Sequence, residues 1–273
     1  MGRIGTNGAP NVFGVLFVFL FFLTFAVCAV RVIRMVIAVA GKGGTGKSTV
    51  AALLIRALLA QNKKPVLAVD ADPNSTLGDY LGIACSCTVS DLIEQTKGLR
   101  NLPDGVSKPA HLEYQLQSAI TESAGLDLLV MGRPEGPDCY CMANNILRGY
   151  VQKIVGNYPY VVIDNEAGME HLSRKTTQNI DALILVSDPT AVGLKTAGRI
   201  RELIDKMPFL NIRKRYLLVN RADANFNRIG AEQATGLNLI GTLPYSEEIE
   251  KEINQQGTKT SQSVNLIISA LCI

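Results

Sequence analysis

The N-terminal part of this sequence lacks acidic residues and lysine, and cysteine is scarce in the whole chain. The first 34 residues contain no aspartate, glutamate or lysine, and their charged side chains are Arg3, Arg31 and Arg34. Removing these three from the 27 basic residues leaves 24, which equals the number of acidic residues. The whole formal charge of +3 therefore lies in the N-terminal segment. Residues 35–273 therefore have no net charge, which argues against a protein that binds nucleic acid through a broad positive field.

Cysteines are also few for the length of the chain, with six in 273 residues, which does not suggest a disulfide scaffold. Four of them form two C-x-C pairs, Cys85 with Cys87 and Cys139 with Cys141. Cysteines two positions apart form a disulfide with each other poorly, so these pairs favour a metal or redox role. Apolar residue types make up 47% of the chain, which is enough for a substantial core and excludes intrinsic disorder.

The N-terminal segment is a long apolar stretch. Val12–Val30 has no charged residue and as a helix would span roughly 28 Å, close to the hydrocarbon thickness of a bilayer. A membrane helix, a signal peptide cleaved near Val27–Ala29, and an upstream extension of a protein that starts at Met35 all remain open. We therefore divide the chain into an apolar segment over residues 1–34 and one globular domain over residues 35–273.

The globular part alternates strand-like and helix-like patterns. Short apolar runs predict buried strands, and a helical periodicity follows several of them, for example over residues 191–207. The predicted strands cover residues 36–40, 66–69, 126–131, 160–163, 182–186, 216–219 and 239–243. This order predicts an α/β fold with a doubly wound, mostly parallel sheet flanked by helices. The region over residues 85–124 is the least regular, and we expect an insertion or a helical flap there.

A phosphate-binding loop follows the first predicted strand. Residues 41–48 match G-x-x-x-x-G-K-[ST] between a strand and a helix, the context that this motif requires. Its backbone N–H groups and the helix N-terminus bind phosphate oxygens, Lys47 reaches the β- and γ-phosphates, and the Ser48 hydroxyl can bind Mg²⁺. The motif predicts a P-loop NTPase fold that binds ATP and Mg²⁺. The predicted nucleotide contacts are Gly41, Gly43, Gly44, Thr45, Gly46, Lys47, Ser48 and Thr49.

An acidic residue follows the predicted strand near residue 160. The apolar run over residues 161–163 ends in Asp164, a Walker B pattern in which the carboxylate would hold Mg²⁺ through water. An ordinary turn residue at the strand end is the alternative. Glu166 is either a second group that orients the attacking water or an ion-pair partner. Gly168 could let the backbone move with the γ-phosphate.

The pair Cys139 and Cys141 forms half of a metal site. Two thiolates can bind one soft or borderline metal, but four-coordinate Ni²⁺ or Zn²⁺ needs further ligands. A two-fold dimer supplies a second pair by symmetry, so a nucleotide-driven dimer would couple ATP to metal affinity. Two packed, inert thiols are the alternative.

Lys42, directly after the first glycine, adds a second lysine to the phosphate-binding loop. With it the loop resembles the deviant Walker A family of MinD, ParA, ArsA and nitrogenase iron protein types, whose signature is K-G-G-x-G-K-[ST]. The resemblance implies that Lys42 reaches the nucleotide of the partner subunit in a homodimer that sandwiches ATP. An added cation there would stabilise negative charge on the transferring phosphoryl group.

The same resemblance implies roles for polar residues outside the loop. Asp72 would orient the attacking water and Asp70 would make an outer contact to Mg²⁺; an Asp72 that only caps a helix is the alternative. Asn220 and Arg221 follow a late strand where the family binds adenine, because Asn can pair with the purine edge and Arg can stack on the ring. The catalytic residues predicted in this way are Lys42, Lys47, Asp72 and Glu166.

Two longer strings, R-P-E-G-P-D-C-Y-C at residues 133–141 and D-N-E-A-G-M-E-H-L-S-R at residues 164–174, resemble the CooC family. This family contains nickel-insertion ATPases that mature carbon monoxide dehydrogenase, and the resemblance extends from Met35 to the C-terminus. It implies that Cys139 and Cys141 bind Ni²⁺ or Zn²⁺ at a homodimer interface, with carbon monoxide dehydrogenase as the client. Cys85 and Cys87 depart from the pattern, and we expect two buried cysteines. For His171 we expect a structural role.

The predicted function is therefore a cytoplasmic, ATP-hydrolysing metallochaperone, tethered to a membrane only if residues 1–34 are retained. The alternatives are a positioning or partition ATPase of the MinD or ParA kind and an ATP-dependent iron–sulfur reductase. The C-terminal residues 263–273 are short and have no basic face for MinD-like membrane attachment. The two cluster ligands of a reductase subunit lie far apart in sequence, which a C-x-C pair fits poorly.

Overall fold

The computed structural model describes residues 34–98, 107–133, 141–166, 179–245 and 262–271. The chain divides into two units, Met1–Ile33 and Arg34–Ile273. The first unit lies outside the described residues, so the apolar N-terminal helix stays a prediction. Within the described ranges, no helix has both the length and the apolar character needed to cross a membrane.

A single eight-stranded sheet forms the centre of the described part of Arg34–Ile273. Its strands in space follow the order β3-β4-β2-β5-β1-β6-β7-β8. Every neighbouring pair is parallel except β3 with β4, which confirms the predicted mostly parallel sheet. The strands are β1 (Met35–Gly41), β2 (Val66–Ala71), β3 (Ile120–Ser123), β4 (Leu126–Val130), β5 (Tyr160–Asn165), β6 (Asn179–Ser187), β7 (Asn211–Asn220) and β8 (Asn238–Leu243).

Helices cover both faces of this sheet, as a doubly wound fold requires. Alternate residues of β1 point to opposite sides: Val36 belongs to one buried apolar cluster and Ile37 to the other. Because both faces are covered, the central strands are continuous apolar runs rather than alternating ones. The described helices are α1 (Lys47–Ala60), α2 (Leu77–Leu81), α3 (Val89–Gly98), α4 (Lys108–Gln117), α5 (Cys141–Asn157), α6 (Ala191–Asp205), α7 (Arg228–Thr235) and α8 (Gln262–Ala270).

The irregular region contains one strand that the sequence did not predict. Residues 120–123 form β3, which pairs antiparallel with β4 at the edge of the sheet. The prediction of seven strands was therefore incomplete, because β3 has the sequence Ile-Thr-Glu-Ser and lies half-buried or exposed, without the apolar run that marks the central strands. The helices α3 and α4 in the same region agree with the expected helical flap.

Candidate functional site

The predicted nucleotide-binding residues lie at one edge of the sheet, where the parallel strands have their carboxyl ends. Four strands end at or directly before residues of the candidate site. β1 ends at Gly41, β5 at Asn165 and β7 at Asn220, and β2 ends at Ala71, directly before Asp72. In an open α/β sheet this edge is the usual place for a ligand. The fold therefore brings together residues that are up to 179 positions apart in the sequence, from Gly41 to Asn220.

The phosphate-binding loop, residues 41–48, is packed closely against neighbouring strands. Gly41 has a φ of +154°, and a Cβ added to it would lie 2.3 Å from the backbone oxygen of Val186 on β6. Only glycine fits this approach, which accounts for the first glycine of the motif. Inside the loop, the Thr45 hydroxyl and N–H both donate to the Lys42 carbonyl, at 2.9 and 3.4 Å.

The two loop lysines occupy different environments. Lys47 begins α1 and is only 7% exposed, whereas Lys42 is exposed at the outer edge of the loop. A buried ammonium group needs an anionic partner. Lys47 lowers the pKa of Asp164, so the two lie within electrostatic reach of each other. The exposed position of Lys42 leaves it accessible to a second molecule.

Asp70 and Asp164 form the acidic part of the site. They are paired in register on β2 and β5, and neither is exposed to solvent. Burial raises the pKa of Asp70 to about 6, although N–H groups of Leu77 and Asp72 donate to its carboxylate. Burial raises the pKa of Asp164 to about 7, an effect that the nearby Ser48 hydroxyl partly offsets. Within the described residues, neither Asp164 carboxylate oxygen accepts a hydrogen bond of normal geometry.

Asn165 is a buried polar residue that the sequence analysis did not single out. Its Nδ2 donates to the backbone oxygens of Val39 on β1, at 3.0 Å, and Ile163 on β5, at 3.3 Å. These two bonds fix the amide orientation and leave the acceptor Oδ1 buried without a donor among the described residues. Asn165 was recognisable only as part of the string that follows Asp164.

Among the described residues, no donor reaches the buried oxygens of Asp164 or the Oδ1 of Asn165 with normal hydrogen-bond geometry. A hydrated divalent cation would satisfy these oxygens. Its positive charge attracts them, and its bound water molecules donate hydrogen bonds to them. The residues at this site therefore fit a hydrated Mg²⁺. Ser48 lies at the same place, and its hydroxyl oxygen accepts from the Thr76 hydroxyl at 3.4 Å. Thr76 is a second residue that the sequence analysis missed.

Asp72 lies in a tight turn after β2. Its Oδ1 accepts from the backbone N–H and the side-chain amide of Asn74, both at 2.9 Å, and its backbone oxygen accepts from Ser75. Asp70 accepts the N–H of Asp72, so the buried aspartate positions the turn that carries the half-buried one. The alternative in which Asp72 only caps a helix was wrong, because the next helix begins at Leu77 with Thr76 at its N-cap position. The role of Asp72 in orienting water stays a prediction.

Asn220 and Arg221, predicted to bind adenine, contact the phosphate-binding loop itself. Asn220 Nδ2 donates to the Thr45 backbone oxygen at 2.9 Å, and Arg221 donates to the Gly44 backbone oxygen at 3.4 Å. Asn220 is 8% exposed. The base contact stays a prediction, and the contact with the loop is an additional finding.

The predicted metal ligands are beyond what the structure describes in detail. Cys139 lies outside the described residues, as do Gly168 and His171, and Cys141 is the first residue of α5. Cys85 is exposed and Cys87 half-buried, so the expectation of two buried cysteines was wrong for Cys85, which lies in an open loop before α3. Among the described side chains, no group of three or more His, Cys, Asp or Glu converges on a metal site.

The other predicted residues lie around the loop. Gly43 and Gly44 are exposed, whereas Ser48 and Thr49 are half-buried in the first turn of α1. Glu166 directly follows β5 and is half-buried. The structure thus brings the predicted nucleotide residues to one edge of the sheet.

Comparisons with known proteins agree with this geometry. Residues 36–258 match the family described as the CobQ/CobB/MinD/ParA nucleotide binding domain. The chain is 43% identical over 214 residues to an uncharacterized ATP-binding protein of Methanocaldococcus jannaschii, covering 77% of this chain and 84% of that protein. It is 31% identical over 223 residues to the carbon monoxide dehydrogenase accessory protein CooC of Rhodospirillum rubrum, covering 77% and 83% of the two chains.

A solved structure supports the fold. The ParA family ATPase from Chlorobium tepidum superimposes with a TM-score of 0.64 at 21% sequence identity, covering 88% of this chain and all of the other. At that identity the likeness concerns the fold alone.

Proposed function

This chain belongs to the CobQ/CobB/MinD/ParA nucleotide-binding domain family, and we propose that it is an ATP-hydrolysing metallochaperone. It acts as a homodimer that closes around ATP and inserts nickel into the active-site cluster of carbon monoxide dehydrogenase. The observation that carries the proposal is the presence, in one chain related to a carbon monoxide dehydrogenase accessory protein, of a two-lysine phosphate loop and a C-x-C pair.

The nucleotide part of the proposal is supported by the geometry at the edge of the sheet. Lys47 is buried and lowers the pKa of Asp164, and in the part of the chain that the structure describes the buried oxygens of Asp164 and Asn165 accept no hydrogen bond of normal geometry. Mg²⁺ would supply positive charge there that neutralises the phosphates. Ser48 and Asp164 would hold it, Asp164 through water, and Lys47 would bind the β- and γ-phosphates. Gly43, Gly44 and Thr49 complete the phosphate contacts.

Hydrolysis requires groups that act on the γ-phosphate and the attacking water. Asp72 would orient the water once its carboxylate leaves the Asn74 amide, and Glu166 would assist from the end of β5. Water adds to the γ-phosphorus, the bond to the bridging oxygen breaks, and ADP and phosphate leave. Exposed Lys42 would stabilise the transferring phosphoryl group in the partner subunit's site.

The metal part of the proposal depends on the thiols. One C-x-C pair per chain supplies two ligands, and a two-fold dimer supplies four, the number that Ni²⁺ or Zn²⁺ takes in a tetrahedral thiolate site. If Mg-ATP brings the two pairs together and hydrolysis separates them, the affinity for nickel falls at release. Cys139 and Cys141 are the ligands in this proposal.

A MinD- or ParA-type positioning or partition ATPase is the second candidate. It is favoured by the family match, whose description names both types, and by the phosphate loop, which does not distinguish them from a metallochaperone. Such a protein needs the ATP-dependent dimer but no metal at Cys139 and Cys141.

Metal analysis of the purified full chain distinguishes the candidates. We expect about one nickel or zinc ion per dimer when the protein is loaded with Mg-ATP, and none in the Cys139→Ala variant. The matched control is the double variant Cys85→Ser and Cys87→Ser, which alters the other C-x-C pair and should keep the ion. A dimer without metal would favour the positioning ATPase, and a four-iron cluster would favour a reductase.

A further inference from the structure

The end of β7 and the phosphate-binding loop make direct contact, although they are 175 positions apart in the sequence. We infer that Asn220 is a positioning residue that holds this loop in its phosphate-binding conformation, so that its loss weakens binding of the phosphate chain whatever base is attached. The inference rests on the proposed function to the extent that nucleotide binds at this loop.

The hydrogen bonds of Asn220 are directed to the protein itself. Its Nδ2 donates to the Thr45 oxygen at 2.9 Å, and its Oδ1 accepts from the Arg221 N–H at 3.0 Å. Turning the amide over would place Oδ1 against the Thr45 oxygen and Nδ2 against the Arg221 N–H, so both contacts fix one orientation. The side chain is 8% exposed, which makes these bonds difficult to replace by water.

The contact with Thr45 sets the direction of one loop peptide. Because a trans peptide is planar, its C=O and N–H groups point in opposite directions. Holding the Thr45 oxygen toward Asn220 therefore turns the Gly46 N–H away from Asn220. In a phosphate loop such N–H groups are the ligands of phosphate oxygens, and they bind well only if they are oriented before the ligand arrives.

Gly46 shows how closely Asn220 packs against the loop. A Cβ added to Gly46 would lie 2.4 Å from Asn220 Nδ2, and Gly46 has a φ of +89°, which favours glycine. Any side chain at Gly46 would displace the Asn220 amide. The glycine at position 46 and the position of the Asn220 amide therefore depend on each other in this chain.

Arg221 strengthens the same contact. Its backbone lies in the left-handed region with a φ of +59°, and its guanidinium donates to the Gly44 oxygen at 3.4 Å. The last residue of β7 and the residue after it therefore donate to two successive carbonyls of the loop, at Thr45 and Gly44. A residue that only recognised adenine would have no need of these contacts.

The test compares ligands with and without a base. Binding of Mg-ATP, Mg-GTP and inorganic tripolyphosphate with Mg²⁺ is measured by titration calorimetry for the wild type, Asn220→Ala and a control, Asn227→Ala. Asn227 also accepts a backbone N–H through Oδ1, from Gly230 at 2.9 Å, but it is exposed at the start of α7. We expect Asn220→Ala to lose about tenfold in affinity for all three ligands, and the control to lose none.

Other outcomes separate this inference from the proposed function. If Asn220→Ala binds tripolyphosphate like the wild type and loses only the preference for ATP over GTP, Asn220 recognises the base and the inference is wrong. If the wild type binds none of the ligands, the proposed function fails and the inference with it. Asn220→Leu covers a folding defect in the alanine variant, because it keeps the size of the side chain and removes the donor to Thr45 without adding a charge beside the loop. We expect the same uniform loss in it.

Discussion

Asp70 and Asp164 face each other in register on the neighbouring strands β2 and β5, and both carboxyl groups are completely buried. Asp70 raises the pKa of Asp164, in addition to the larger effect of burial. Two buried acids side by side are costly in an empty site and favourable around a cation. This relationship predicts how the nucleotide-free protein responds to pH.

The free energy of unfolding of the nucleotide-free protein should fall as the pH rises from about 4 to about 8. The folded protein keeps protons on Asp70 and Asp164, with pKa values of about 6 and about 7, where the unfolded chain, at 3.8, has released them. Because the folded state binds more protons, raising the pH favours unfolding. Calorimetry at pH 5.5 and pH 8, without nucleotide or Mg²⁺, measures the effect.

Replacing Asp164→Asn should stabilise the nucleotide-free protein at pH 8 by about 2 kcal/mol, because it removes a buried charge. The same variant should lose Mg²⁺-dependent hydrolysis. The control is Asp223→Asn, which alters an exposed aspartate after β7 and should change neither quantity. A stability of the Asp164→Asn variant that is unchanged or lower at pH 8 would contradict the assigned pKa.

Substitutions of Lys42 and Lys47 should affect different steps, since one lysine is exposed and the other is buried. Lys47→Ala should abolish ATP binding, because the phosphates lose the buried cation beside them. Lys42→Ala should keep ATP binding in the single subunit but lose ATP-dependent dimerisation and at least 100-fold in hydrolysis. Equilibrium dialysis, light scattering and phosphate release measure the three quantities. Wild-type turnover by Lys47→Ala would refute the assignment of the loop.

Asp72→Ala should bind ATP normally and stay dimeric, but hydrolyse it about 100-fold more slowly, because the attacking water is no longer oriented. Asn74→Ala serves as the comparison, since it frees the Asp72 carboxylate of the side-chain amide that now contacts it. Single-turnover phosphate release checks both variants. Failure of Asp72→Ala to bind ATP would mean that Asp72 shapes the site rather than acting on water.

Asn165 should contribute separately to the fold and to Mg²⁺ binding. Asn165→Ala removes two buried hydrogen bonds and the free acceptor, so we expect about 2 kcal/mol less stability and a smaller rise in melting temperature on adding Mg²⁺ to the ADP complex. Asn165→Asp loses the donors but keeps an acceptor, so it should be destabilised and still respond to Mg²⁺. An equal Mg²⁺ response in the wild type and Asn165→Ala would restrict Asn165 to a structural role.

The sequence was sufficient for the parts of the site that are local. The phosphate-binding loop over residues 41–48 and the apolar strands of the sheet could be predicted, because each is marked by a pattern within a short stretch of sequence. The edge strand β3 was missed because its pairing with β4 gives it a strand conformation that its own residues do not indicate. Thr76 and Asn165 were missed because a single polar residue near a strand end has no distinctive pattern.

Asn220 shows most directly what the sequence determines and what only the tertiary structure determines. The sequence alone determined that an asparagine follows a late strand, that a glycine-rich loop follows the first strand, and that parallel strands end at one edge. Only the tertiary structure decided that the Asn220 amide lies 2.9 Å from the Thr45 oxygen. The physical reason is that strand order sets which chain ends meet: β6 alone separates β1 from β7 in the sheet, and no local property of either segment fixes that order.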